Sequence, residues 1–125
     1  MPKILVVDDD ADVRRVLQLF LERAGYDVAV VGDGIQAVEA FGKIPYDLVI
    51  TDIVMPEKEG IETISELRQL SPDLPIVAIS GGGRIGAHEY LNWVRKCGVD
   101  HTFCKPIDRK SLLAAVEELV GAGVN

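Results

Sequence analysis

Ile4-Leu5-Val6-Val7-Asp8-Asp9-Asp10 sets four consecutive apolar residues directly before three acids. A short Val/Ile/Leu run of this kind reads as a strand. Because it is continuous and does not alternate with polar residues, both of its faces must be covered, as in a parallel sheet flanked by helices. The next residues supply such a cover. Val13, Val16, Leu17, Phe20, Leu21 and Ala24 follow the spacing of one apolar helical face, with Asp10 as N-cap and Gly25 as stop.

The same alternation continues along the chain. Further strands are expected at Val28 to Val31, Leu48 to Ile50, Ile76 to Ile79 and, less apolar, His101 to Cys104. Between them Ala37, Val38 and Phe41 mark a second helix, and Ile61, Ile64 and Leu67 a third that ends near Ser71-Pro72. A fourth spans roughly Ala87 to Lys96, and the last follows an N-cap at Asp108 and buries Leu112, Val116 and Leu119. Right-handed crossovers turn this (βα)5 pattern into an α/β doubly wound parallel sheet. The common small order for the class is the flavodoxin-like 2-1-3-4-5, with ligands bound beyond the carboxyl ends of the strands.

The 125 residues suit one domain, expected to run from 1 to 125, and 48% hydrophobic with 26% charged residues is ordinary for a globular protein. No apolar run approaches the roughly 20 residues of a membrane span, so no membrane insertion and a cytoplasmic location are expected. Cys97 and Cys104 fit neither a disulfide framework nor a zinc site and read as reduced packing residues. A net charge of −7 disfavours direct binding of nucleic acid.

Four of the five strands end in residues able to share one site: Asp8 and Asp9, then Asp52, then Ser80, then Lys105. In the 2-1-3-4-5 order these strands are neighbours. Three crowded carboxylates repel one another, and one ammonium offsets only part of that charge. A hard cation fits an all-oxygen set without His or Cys, which points to Mg²⁺ or a similar ion such as Mn²⁺. Phosphoryl transfer needs this kind of positioning and charge neutralisation, and a carboxylate can serve as the nucleophile. Asp52 is the candidate nucleophile and Asp8 and Asp9 the candidate metal ligands, while Ser80 and Lys105 would contact phosphoryl oxygens.

These residues resemble the bacterial response-regulator receiver family. The likeness rests on Val6-Val7-Asp8-Asp9, Asp52-Ile53-Val54-Met55-Pro56 with Gly60, Ser80, and Gly98-Val99-Asp100 before Lys105-Pro106. It implies a phosphoacceptor signalling switch, not an enzyme, phosphorylated on Asp52 by a sensor histidine kinase or phosphotransfer protein. It further implies metal contacts from Asp9, Asp52 and the backbone carbonyl of Val54, with Asp8 acting through water, and a cis Lys105-Pro106 bond. The switch position three residues before the lysine, often Tyr or Phe in the family, is Thr102 here. Conformational change is therefore expected mainly in the glycine loop from Gly81 to Gly86 and the start of the fourth helix. With only Gly121 to Asn125 after the last helix, output is expected through contact with a protein partner, phosphorelay or action as a phosphate sink.

Other readings are weaker. Gly81 to Gly86 spells G-x-G-x-x-G with Asp100 downstream, but a dinucleotide fingerprint belongs on the first strand of its unit, with its acid after the next strand. An aspartate-nucleophile phosphatase of the haloacid dehalogenase type wants an acid where Val54 stands. An interaction module that is never phosphorylated leaves Asp8, Asp9, Asp52, Ser80 and Lys105 unexplained. His88 and His101 lack companion ligands and read as solvated or packing residues. Tyr90 reads as packing, while Trp93 suits either the core or a partner surface.

Overall fold

The computed structural model describes residues 2–52, 60–80 and 98–121, apart from the side chains of Gly60, Ile61 and Ser80. The strands are β1 (Lys3–Val7), β2 (Asp27–Val31), β3 (Leu48–Asp52), β4 (Ile76–Ser80) and β5 (His101–Cys104). The described helices are α1 (Ala11–Arg23), α2 (Gly34–Lys43), α3 (Gly60–Leu70) and α4 (Arg109–Val120). All neighbouring strands are parallel, in the order β2-β1-β3-β4-β5 expected from the sequence. The helix expected at 87–96, with Tyr90, Trp93 and His88, lies outside the described residues, as do the loop at 81–86, Cys97 and Val54.

The continuous apolar runs are explained by two cores, one on each sheet face. Leu5 and Val7 of β1 pack with Ala37 of α2 and with Ile64 and Leu67 of α3. Ile4 and Val6, pointing the opposite way, pack with Leu17 and Leu21 of α1 and with Leu112 and Val116 of α4. Burying each such side chain contributes about 1.5–3 kcal/mol, so strands apolar on both faces stabilise two helical layers at once.

Helix starts follow the capping residues. Asp10 accepts hydrogen bonds from the amides of Asp12 (2.9 Å) and Val13 (3.4 Å), and Asp108 accepts one from that of Ser111 (3.0 Å). Asp33 caps α2 in the same way through the Gln36 amide. Gly25 follows α1 with φ 97°, the left-handed conformation that makes glycine a helix stop. Asp10→Ala is expected to lower the unfolding free energy by about 1 kcal/mol, read from the urea midpoint at constant slope.

Four expectations need correction. Val16 shares the helical spacing of the buried α1 residues yet is 46% exposed, because that end of the helix faces the segment after β5 across an open groove. Leu119 is only partly buried at the edge of its core. Strand β3 runs to Asp52, whose backbone pairs with Ile79, so the acid belongs to the strand and does not follow it. Cys104 is exposed, since β5 lies at the sheet edge.

Candidate active site

β1, β3, β4 and β5 are consecutive in the sheet, and their carboxyl ends form one rim. Asp8 follows β1 and is fully buried; its amide donates to the Val31 carbonyl at 3.2 Å, and its Oδ1 accepts from the Asp10 amide at 2.9 Å. These bonds fix both the backbone and the rotamer of Asp8. Asp52, also buried, ends β3 one register step beyond the Val7–Thr51 pair. Asp9 is exposed. Each of the three offers a carboxylate oxygen, and these oxygens lie within 4.8 Å of one another.

Lys105 reaches this rim from beyond β5. Its Nζ lies 3.0 Å from Asp8 Oδ2 and 3.1 Å from Asp52 Oδ2, while the side chain stays 22% exposed. The Lys105–Pro106 bond is cis, as the resemblance implied. Burial pushes the ammonium toward its neutral form, but hydrogen bonding and attraction from Asp8 and Asp52 outweigh it and hold the lysine pKa above its ordinary value. Asp8 is shifted up as well, principally by burial. The Asp10 amide and Lys105 pull its pKa down, Asp52 repels it, and the net direction stays upward.

A hard divalent cation fits this cluster. The donors are all carboxylate oxygens, and the buried Asp8 Oδ2 meets only the Lys105 ammonium, 3.0 Å away, among the described residues. The upward shift of Asp8 comes first from burial of its carboxylate, with repulsion from Asp52 a smaller addition, and a bound cation would offset both.

Of the candidate site residues, Asp8, Asp9, Asp52 and Lys105 come together. Ser80 ends β4 in register with Cys104, but its side chain lies outside the described residues. Thr102 pairs with Ala78 in mid-strand and is half-buried, one residue before Phe103, which joins the α1/α4 core. His101 stacks on Phe103 and lies 3.3 Å from Glu118, a packing position. The dinucleotide reading fails on position: β4 is not the first strand, and Asp100 Oδ2 accepts from the Ile76 amide at the opposite end of the sheet. Sequence reasoning missed Arg14, whose Nη1 donates to the Asp8 carbonyl at 2.6 Å. The available signal was a basic residue one helical turn past the Asp10 cap.

The profile of the response regulator receiver domain matches residues 4–117. The chain is 35% identical over 120 residues to the response regulator receiver protein CpdR of Brucella abortus, covering 96% of this chain and 98% of that protein. It is 31% identical to a CpxR homologue of Haemophilus influenzae, a transcriptional regulatory protein of which it spans 51%. Among solved structures it is similar to TrrA of Thermotoga maritima in complex with Mg²⁺-BeF, with 30% identity and a TM-score of 0.84, over 95% of this chain and 99% of that one.

Proposed function

The chain belongs to the response-regulator receiver family, and from that premise we propose that residues 1–125 act as one phosphoacceptor switch, with Asp52 taking a phosphoryl group from a phosphohistidine donor. Receiver domains are signalling domains of two-component systems and bind Mg²⁺ at an acidic pocket. The observation that carries the reading is the buried Asp52 carboxylate, 3.1 Å from Lys105 Nζ, beside the acids Asp8 and Asp9.

An Asp52 carboxylate oxygen attacks phosphorus, a P–O bond forms as the P–N bond of the donor breaks, and the imidazole leaves. Asp8, Asp9, Asp52 and the Val54 carbonyl would hold Mg²⁺ or Mn²⁺, which supplies charge neutralisation for the phosphoryl oxygens. Lys105 places its ammonium on one of those oxygens, and the Ser80 hydroxyl donates to another. Both Lys105 contacts are with carboxylates, so modifying Asp52 requires the lysine to change partners. That change, with Thr102 at the switch position, is the origin of the signal to a protein partner. The location is cytoplasmic; no helix among the described residues is long and apolar enough to cross a membrane.

The donor is a sensor histidine kinase or phosphotransfer protein, and it must contact the surface bordering Asp52. Val13, Val16 and Leu17 of α1 with Pro106 and Ile107 line an apolar groove that reaches Lys105. Val16→Asp is expected to slow transfer from such a donor at least about tenfold, a loss of roughly 1.4 kcal/mol of transition-state binding. Labelling by acetyl phosphate, which needs no docking, should fall far less. Equal loss with both donors would remove the groove from the account. Labelling by acetyl phosphate should vanish in chelator and return with Mg²⁺; labelling that persists in chelator would contradict the metal-assisted reading.

A further inference from the structure

We infer that Arg14 is a positioning residue for the metal-binding acids, holding the Asp8–Asp9 peptide so that the Asp9 carboxylate faces Asp8 and Asp52; this rests on the metal-assisted reading above. Arg14 lies on α1, and its half-buried guanidinium turns back to donate from Nη1 to the Asp8 carbonyl at 2.6 Å. That carbonyl oxygen is coplanar with the Asp9 nitrogen and Cα, so fixing it fixes the platform from which the Asp9 side chain leaves.

The remaining contacts support this assignment. Asp8 is held by its amide to Val31 and by Oδ1 to the Asp10 amide, whereas the exposed Asp9 makes no side-chain hydrogen bond or ion pair among the described residues. The orientation of Asp9 therefore depends on its backbone. The guanidinium is lodged against Gly32, just after β2, where an added Cβ would come within 3.4 Å of Nη1. Gly32 is itself held, its amide donating to Gln36 Oε1 at 2.9 Å. Arg14 thus ties the ends of β1 and β2 together beside the acidic cluster.

Charge and position predict opposite signs. As a cation near the acids, Arg14 repels Mg²⁺, so if charge were its only role its removal would tighten metal binding. As a positioning group it lowers the reorganisation needed for Asp9 to ligate, so its removal weakens binding. Arg15 is a charge-matched control, since its side chain is 79% exposed and lies 3.9 Å from Asp12.

The test is calorimetric titration of the whole chain and its Arg14→Met and Arg15→Met variants with Mg²⁺ alone, with melting in chelator recorded beside it. Arg14→Met is expected to weaken Mg²⁺ binding about five- to tenfold while still melting cooperatively, and Arg15→Met to leave it unchanged or slightly tighter. Equal or tighter binding in Arg14→Met overturns the inference, as does equal weakening in both variants. Should Arg14→Met fail to fold, Arg14→Gln is measured with the same two outcomes. A parent chain that binds no Mg²⁺ would instead defeat the metal-assisted reading itself.

Discussion

Replacing Asp52 with Asn is expected to abolish the uptake of phosphate from acetyl phosphate in Mg²⁺, a loss of at least about a thousandfold, or some 4 kcal/mol in the barrier. An amide is a far weaker nucleophile than a carboxylate, and no other described acid combines the same burial and contacts. Asp8 is as buried, but its Oδ1 is engaged with the Asp10 amide. Asp9 is exposed and has no ammonium beside it among the described residues. The variant should keep its fold, because Asn is close in volume and Lys105 retains Asp8 at 3.0 Å. Incorporation measured by intact mass, with circular dichroism as the folding control, checks this. Undiminished incorporation would move the acceptor elsewhere.

The second large effect is on stability. Asp8 has a pKa raised above 3.8, mainly by burial, so over the interval between its unfolded and folded values the native state binds more protons than the unfolded one. The stability it contributes is present below the unfolded value and lost as pH rises through the folded value. In chelator and mildly alkaline buffer the ionised, desolvated Asp8 is therefore a burden, and Asp8→Asn should melt higher than the parent. Mg²⁺ offsets that charge by binding the native form. The parent should gain RT ln(1 + [L]/Kd), roughly 2.7 kcal/mol at a hundredfold excess over Kd and on the order of 10 °C in Tm. Asp9→Asn should melt near the parent in chelator, since Asp9 is exposed, yet gain little from Mg²⁺. A parent whose melting ignores Mg²⁺, or an Asp8→Asn chain that melts lower in chelator, would contradict this electrostatic account.

The parallel sheet was legible because Ile4 to Val7 and Ile76 to Ile79 are apolar on both faces, and two cores, one on each side, are what such runs require. The convergence of Asp8, Asp52 and Lys105 followed from strand order, since each sits at a strand's carboxyl end. Other features depend on tertiary context. Val16 obeys the helical period, but no element among the described residues covers it. Residue type alone also could not tell which of the adjacent identical Asp8 and Asp9 is buried, since one turns into the sheet end and the other outward. Arg14 escaped because its partner is a backbone carbonyl, which carries no residue signature.

The central claim is that the acyl phosphate forms on Asp52. The direct measurement is borohydride reduction of the chain after exposure to acetyl phosphate and Mg²⁺, followed by peptide mass spectrometry, since the reagent converts an aspartyl phosphate into homoserine. The account predicts homoserine at position 52 alone, absent when chelator replaces Mg²⁺. Homoserine at position 8 or 9, or none anywhere in a chain that has taken up phosphate, would contradict it.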